Sequence, residues 1–171
     1  MRYSTAFLAA LLSWAGSAAA VESVLKQIPD AKVVGEGKLS LVFWDIYDAT
    51  LYAPNGKLTP NKSFALSIRY KQEIDGRDIA DRSVQEIRKQ GYTDEIRLAA
   101  WNSQMKLIFP NVKDGSVLSA LFFPGDKTVF YAGDKQIGVI ADAEFGRLFS
   151  DIWIGPQTSE PQLRRKLLGL P

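Results

Sequence analysis

Residues 133–169 read GDKQIGVIADAEFGRLFSDIWIGPQTSEPQLRRKLLG, and this closing stretch limits the fold more than any other part of the chain. Residues 136–140 are apolar enough for a short strand. Asp142 then predicts the N-cap of a helix. One apolar stripe of that helix would contain Phe145, Leu148, Phe149 and Ile152. The chain therefore returns from a strand into a helix that packs by its aromatic face.

A second helix follows within the same stretch. Gly155-Pro156 predicts the end of the first helix. Ser159 and Gln162 predict a capping box for the next helix. The Arg-Arg-Lys run at 164–166 would lie near its C-terminus, where the helix dipole favours cations.

Strand patterns dominate the first third of the chain. Residues 38–53 predict a long strand or a bent hairpin arm, and Pro54-Asn55-Gly56 predicts a turn. Residues 63–70 predict the next strand, with Arg69 on its polar face. The opposite face of that strand would carry Phe64, Leu66, Ile68 and Tyr70.

Two helices and a strand meander fill the middle. Asp75 or Asp78 would begin a helix that ends near Gln90, and Thr93 would cap a second one. The apolar stripe of the second helix would contain Leu98, Trp101, Met105 and Ile108. The meander would use strands at 117–123, 128–131 and 136–140. Runs of strands and of helices, without strict alternation, predict an α+β fold with an antiparallel β-sheet covered on one face by helices.

The N-terminus has the pattern of a signal peptide. Arg2 supplies a positive charge, residues 6–14 form a short apolar run, and Ala18-Ala19-Ala20 is a small-residue cleavage site. The apolar run is shorter than the roughly 20 residues of a spanning helix. We therefore predict cleavage after about Ala20, a periplasmic or secreted protein, and a single domain over residues 21–171.

Composition removes several kinds of chemistry. The 171 residues include no cysteine and no histidine, which excludes disulfides, Ser-His-Asp triads and cysteine nucleophiles. A zinc site is not expected without those ligands, and Asp45 and Asp48, three apart in a strand, should point to opposite faces. The net charge of +2, with scattered basic residues, does not indicate nucleic-acid binding. We expect no metal and no cofactor.

Two segments carry a resemblance to a known family. Residues 43–54 (FWDIYDATLYAP) and 149–169 (FSDIWIGPQTSEPQLRRKLLG) resemble the chalcone isomerase-like family, in its bacterial exported branch. The resemblance extends over about residues 33–169. It implies an antiparallel sheet packed by helices, an open-faced sandwich, with a ligand cleft between the two layers. Some relatives cyclise chalcones in that cleft, and others bind fatty acids there through an arginine and a tyrosine.

The catalytic residues of the enzyme branch do not carry over to this chain. The resemblance places Tyr47 at the branch's threonine position, and it places Ile79 and Glu86 at or near its tyrosine and asparagine positions. Lys38 is the nearest cation to the arginine position. Cyclisation needs hydrogen-bond donors to stabilise charge on a ketone, and neither Ile79 nor Glu86 supplies one at neutral pH. The chain is therefore predicted not to be a chalcone isomerase, and no catalytic residue is assigned.

A non-catalytic binding function is the leading hypothesis. The ligand would be small and apolar, or fatty-acid-like, and would lie in the cleft between sheet and helices. The candidate binding residues are Tyr47, Arg69, Tyr70, Lys38, Trp44, Trp101 and Met105. Among them, Lys38 and Arg69 would pair with a carboxylate. Trp101 and Met105 lie on one helical stripe, which favours a place in the core over a place in the cleft.

Two other functions stay open. One is an isomerase or intramolecular lyase on another substrate, with Tyr47 as the acid–base group and Lys38 or Arg69 as electrostatic stabiliser. The other is a structural or interaction protein whose own side chains fill the cleft. Pocket volume would separate the filled cleft from the other two hypotheses, and a converging cluster of donors would separate an isomerase from a carrier. The sequence pattern does not indicate an oligomeric state.

Overall fold

The computed structural model describes residues 20–171. The predicted signal peptide lies outside the described residues, except for Ala20. Five helices and six strands make up this part of the chain. In chain order they are α1 (Glu22–Leu25), β1 (Ala31–Leu41), β2 (Trp44–Pro54), β3 (Phe64–Tyr70), α2 (Gly76–Lys89), α3 (Glu95–Ile108), β4 (Val117–Phe123), β5 (Lys127–Ala132), β6 (Lys135–Ile140), α4 (Ala143–Ile154) and α5 (Pro161–Leu167).

The six strands form one antiparallel sheet in the order β1-β2-β3-β4-β5-β6. Each strand therefore pairs with its neighbour in sequence, which confirms the predicted α+β class. The stretch at 38–53, predicted as one long strand or a bent hairpin arm, is a hairpin that turns at Val42-Phe43. Its first strand begins earlier than predicted, at Ala31.

The prediction that Asp45 and Asp48 point to opposite faces is wrong, because this hairpin contains a β-bulge. Leu39 pairs with Tyr47 and Ser40 pairs with Asp45, so Ile46 is an extra residue in β2. The bulge interrupts the alternation on which the opposite placement of Asp45 and Asp48 was based. Both carboxylates lie within ion-pair distance of Lys71, at 3.9 and 2.9 Å.

The helices cover the inner face of the sheet, where the main core forms. Alternate residues of β2 and β3 point inward, and register places Tyr47 opposite Tyr70 and Leu51 opposite Leu66. Helix α4 contributes Phe145 and Phe149, whose rings stack with centroids 5.2 Å apart. Burial of these large side chains provides most of the driving force for folding.

Four helix starts were predicted, with different outcomes. Asp75 holds the N-cap position of α2, as one of the two predicted residues, but its side chain makes no capping hydrogen bond. Asp142 caps α4 as predicted, since its carboxylate accepts from the backbone N–H groups of Glu144 and Phe145. Asp94, not Thr93, caps α3 by accepting from the N–H of Arg97. The capping box at Ser159 is absent: α5 begins with Pro161, and the Ser159 hydroxyl bonds to Glu86 on α2.

The outer face of the sheet also carries a small cover. Val24 of α1 and Ile28 pack against Leu121, Val129 and Tyr131. This second, smaller cluster covers only part of that face. The rest, over β2 and β3, forms an open depression.

Candidate ligand cleft

A cavity of about 270 Å³ lies between the inner face of the sheet and helices α2 and α4. Its walls come from the β1–β2 hairpin, from β3 and β4, and from the apolar faces of the two helices. Apolar and aromatic side chains make up most of the lining, among them Leu39, Leu41, Ile46, Leu66, Ile68, Ile79, Leu118, Ala120, Phe149 and Ile152. Small-molecule sites occupy about 300–1,000 Å³. The cavity is therefore just below that range and suits a slender ligand.

Tyr47 and Tyr70 stand side by side in this lining because they are cross-strand partners. Their rings meet edge to face, with centroids 6.0 Å apart. The Tyr47 hydroxyl accepts a hydrogen bond of 2.9 Å from the indole N–H of Trp153 on α4. Burial raises the pKa of Tyr47 to about 12 and also raises the pKa of Tyr70. Both hydroxyls therefore remain protonated at neutral pH and can act as donors, which disfavours either as a general base.

The two hydroxyls differ in their remaining hydrogen-bonding capacity. The Tyr47 hydroxyl accepts from Trp153, but no described residue accepts from its own O–H, and no described residue hydrogen-bonds to the hydroxyl of Tyr70. A hydroxyl that faces an open cleft can be satisfied there by water or by a ligand oxygen. The O–H groups of Tyr47 and Tyr70 can thus both donate to a ligand oxygen, and Tyr47 is the one positioned by a protein donor.

The charged residues of the cleft are gathered at its rim, beside Tyr47. Arg82 on α2 forms an ion pair with Glu86 at 2.8 Å, and Glu86 also accepts from Lys89 and from the hydroxyl of Ser159. Burial opposes the charge on Glu86, but these bonds outweigh it and hold the pKa of that carboxyl below its usual value. The fields of Glu160, Glu86 and Arg82 all act on the Tyr47 hydroxyl. Arg82 is the cation that an anionic ligand would meet at this rim, which it shares with three carboxylates, those of Asp78, Glu86 and Glu160.

Lys38 and Arg69 lie on the opposite face of the sheet from the cleft. Arg69 falls between the inward-pointing Ile68 and Tyr70, so alternation along β3 directs it outward. Together with Lys38 it borders an open depression of about 760 Å³ on the outer face. Lys38 is paired with Asp45 at 3.0 Å. The backbone therefore prevents these two cations from meeting a ligand held by Tyr47 and Tyr70.

The other three sequence candidates are also placed apart from the cleft. Trp44 stands at the hairpin tip and is 66% exposed. Trp101 and Met105 are buried in the core under α3, where the indole N–H of Trp101 donates to Asp142. Of the seven candidates, the structure brings only Tyr47 and Tyr70 together in the cleft.

Sequence analysis did not single out Arg82, Ser159 or Trp153 as site residues. Helical periodicity could have found Arg82, because it shares a face of α2 with Ile79 and Glu86, which the resemblance had placed at catalytic positions. Both of those residues do line the cleft. Trp153 and Ser159 meet the site through contacts across 106 and 73 residues of sequence, and no local pattern signals such contacts.

The described part of the chain has neither a cluster of metal-binding side chains nor a spanning helix. Within residues 20–171, no three of His, Cys, Asp and Glu are arranged to hold a metal ion. Over the same residues, no helix is long and apolar enough to cross a bilayer.

Comparisons with known proteins agree with this architecture. A family model described as chalcone isomerase-like matches residues 30–169. An uncharacterized protein of Haemophilus influenzae is 25% identical over 137 residues, which are 80% of this chain and 67% of that protein. The crystal structure of a fatty-acid binding protein of Arabidopsis thaliana is similar with a TM-score of 0.63 and 14% identity, over 81% of this chain and 87% of that one. At that identity the likeness concerns the fold.

The match over residues 30–169 and the six-stranded meander with its helical cover lead to one conclusion: the chain belongs to the chalcone isomerase-like family.

Proposed function

We propose that this protein binds a small apolar, fatty-acid-like ligand in the cleft between the sheet and helices α2 and α4, without transforming it. The observation that carries the proposal is the division of the cleft, with apolar walls and a polar rim at one end. Such a site accepts an apolar body and orients it by one polar group. A carrier of this kind needs no catalytic residue.

The polar group of the ligand would meet Arg82 and the neighbouring O–H groups of Tyr47 and Tyr70. The Tyr70 hydroxyl is a donor with no protein partner among the described residues, and a ligand oxygen would satisfy it. Arg82 is 61% exposed on its side chain and can turn from Glu86 to a ligand carboxylate. A neutral oxygen, as in an alcohol or ester, would suit the largely acidic rim equally well. Support for a fatty-acid-like ligand comes from the related fold of the plant fatty-acid binding protein.

The residues present favour binding over catalysis. Ile79 and Glu86 line the cleft at or near positions where the enzyme branch has a tyrosine and an asparagine. The raised pKa of Tyr47 disfavours its use as a general base near neutral pH. An isomerase on another substrate stays the alternative. The open volume of about 270 Å³ speaks against a cleft filled by its own side chains.

Native mass spectrometry of the protein, purified without detergent, is the first test. A stoichiometric adduct, extracted and identified, would give the ligand's class. A bare mass, with no uptake of fatty acids, fatty alcohols or fatty esters, would contradict the proposal.

Matched substitutions then locate the ligand. Tyr70→Phe should weaken binding about 5- to 30-fold, since one hydrogen bond contributes about 1–2 kcal/mol. Tyr131→Phe is its control, because Tyr131 is equally buried but lies on the outer face. Arg82→Gln should weaken a fatty acid more than a fatty alcohol of the same length. Arg88→Gln is its control, because Arg88 lies on the same helix and pairs with Glu95 away from the cleft. Equal losses in the controls would contradict the assigned site.

Export is a separate part of the proposal. It rests on Arg2, the apolar run at 6–14 and the alanines at 18–20. When the full chain is expressed in a bacterium, the protein recovered from the periplasm or medium should begin at Val21. Recovery only from the cytoplasm, with residues 1–20 intact, would contradict it.

A further inference from the structure

The tip of the β1–β2 hairpin presents four consecutive large apolar residues to water. Leu41, Val42, Phe43 and Trp44 are 53, 87, 93 and 66% exposed. Scattered apolar residues on a surface are ordinary, but a contiguous run at a projecting turn marks a contact with another molecule or a membrane. The turn protrudes, so its partner must be able to receive a convex apolar wedge.

The strained backbone conformation of the tip indicates that its apolar side chains serve a function. Val42 has φ 57°, in the left-handed region that β-branched residues avoid. Turns of two residues in hairpins normally place Gly, Asn or Asp at such positions. Here the chain accepts both backbone strain and apolar exposure at one point. Strain of this kind persists where a side chain serves a purpose that Gly or Asn would not.

A polar collar separates the tip from the rest of the hairpin. Ser40 and Lys38 hydrogen-bond to Asp45, and Lys71 pairs with Asp48. The tip extends two residues beyond the Ser40–Asp45 pair, about 7 Å at the rise of an extended strand. Groups that lie in the boundary between lipid headgroups and acyl chains are buried by about 5–10 Å. The apolar wedge therefore has the depth of a membrane interface.

The order of side chains fits the same environment. Trp44 lies next to the collar, and Phe43 lies at the end of the turn. Tryptophan favours the headgroup level, while phenylalanine and aliphatic side chains favour greater depth. The collar has two lysines and two aspartates, so its charge is balanced and contact would not depend on anionic lipid.

The hairpin also connects the tip to the cleft. Leu39, Leu41 and Ile46 line the cavity, and Leu41 is at the same time part of the exposed tip. We propose that the β1–β2 tip inserts into the interfacial layer of a lipid bilayer and so brings the mouth of the cleft to the acyl chains. Insertion follows from the tip itself, while the passage of a ligand rests on the proposed function.

A site-specific probe tests insertion directly. The chain has no cysteine, so Phe43→Cys can be labelled with an environment-sensitive fluorophore. Leu107→Cys is the matched control, because Leu107 is 89% exposed on α3, away from the hairpin. With phosphatidylcholine vesicles, the probe at 43 should shift to the blue and brighten several-fold, and the probe at 107 should not change. No change at 43, or equal changes at both positions, would overturn the proposal.

A turn replacement tests the contribution of the tip to binding. Val42→Asn with Phe43→Gly supplies a favoured hairpin turn, so the variant should fold. We expect at least tenfold weaker partition to phosphatidylcholine vesicles in sedimentation, and little effect of salt on the unsubstituted protein. Ile96→Asn with Leu107→Asn removes similar exposed apolar surface from α3 and should leave partition unchanged. All variants are expressed as the full chain and compared in the same processed form, so that residues 1–20 do not differ between them.

Other outcomes separate this proposal from its rivals and from the proposed function. If the protein forms dimers without lipid, and the turn replacement abolishes both dimers and vesicle binding, the tip is a contact between copies and the proposal is wrong. If the turn replacement abolishes vesicle binding but keeps uptake of a dissolved fatty acid, insertion is supported and the cleft acts independently. Insertion with no uptake by any variant would overturn the proposed function alone.

Discussion

At the scale of single residues, the cleft depends on where tyrosine hydroxyls find partners. Tyr47 was a candidate from the family resemblance, and the structure places it in the cleft beside Tyr70. Its donor Trp153 is 106 residues away, so only the tertiary structure reveals that the Tyr47 hydroxyl accepts a protein hydrogen bond while that of Tyr70 has none among the described residues. Both O–H groups can thus donate to a ligand, and only Tyr47 is positioned by a protein partner.

Alkaline titration should detect this burial. The pKa of Tyr47 is about 12 in the folded state, above its ordinary value of 10.0. The stability associated with this group is therefore fully present below pH 10 and is lost as the pH rises towards about 12. Tyrosinate absorbance should include a late step that Tyr47→Phe removes. If Tyr47→Phe leaves the titration unchanged, the hydroxyl is not buried as described.

The strain at Val42 should be measurable as stability. Val42→Gly places a residue that tolerates φ 57° at the turn, and we expect a gain of about 1 kcal/mol in the free energy of unfolding. Urea unfolding measures it. Phe43→Ala, at the neighbouring position without positive φ, should change stability little. A loss of stability in Val42→Gly would contradict the strain.

At the scale of secondary-structure elements, one side chain joins α3 to α4. Asp142 caps α4 and also accepts from Arg97 and from the indole N–H of Trp101 on α3. The cap was readable from sequence, because capping is a local interaction. The contacts to α3 were not, because they span more than 40 residues.

Asp142→Ala should destabilise the protein by about 2–3 kcal/mol, through the lost cap and the unpaired Trp101 N–H. Asp94→Ala, which removes only a cap on α3, should cost about 1 kcal/mol or less. Urea unfolding of both variants measures the difference, and equal losses would contradict the joining role.

The carboxylate of Asp142 should also make the stability of the protein sensitive to acid. Burial alone would raise the pKa of Asp142, but hydrogen bonds from Phe145, Arg97 and Trp101 outweigh it and lower that pKa from 3.8. Its stabilisation is present above pH 3.8 and is lost as the pH falls through the lower folded value. The stability difference between the unsubstituted protein and Asp142→Ala should therefore shrink below pH 4 in denaturant titrations. A constant difference down to the most acid pH would contradict this.

Two glycines of β1 allow α5 to pack closely. A Cβ at Gly35 would overlap backbone carbonyls of α5, including that of Leu167 at 2.6 Å. A Cβ at Gly37 would meet side chains rather than backbone, those of Leu163 at 2.6 Å and Lys166 at 3.2 Å, and these can move. We expect Gly35→Ala to cost about 3 kcal/mol and Gly37→Ala about 1 kcal/mol, measured by thermal unfolding. The reverse order would show that α5 does not rest on Gly35.

At the scale of the whole molecule, the fold leaves a cavity between the sheet and helices α2 and α4 that larger side chains could fill. Ala120→Leu would add side-chain volume to the floor of the cleft, which Ala120 lines. We expect loss of ligand uptake with an unchanged or higher melting temperature, because a small cavity is filled. Parallel ligand titrations and calorimetry measure both. Lower stability with full uptake would mean that the cavity does not lie at this side chain.

The sequence by itself determined the elements and their class. Alternating and helical periodicities, Asp142 and the turn residues act locally, and the antiparallel sheet with covering helices followed from them and from the family resemblance. Only the tertiary structure decided the site. The pairing register of β3 directs Tyr70 into the cleft and Arg69 to the outer face of the sheet. A bulge at Ile46 changes the directions of Asp45 and Asp48 relative to each other. Trp153 and Ser159 arrive at the cleft over long separations in sequence, and such contacts depend on the packing of the whole chain rather than on any local pattern.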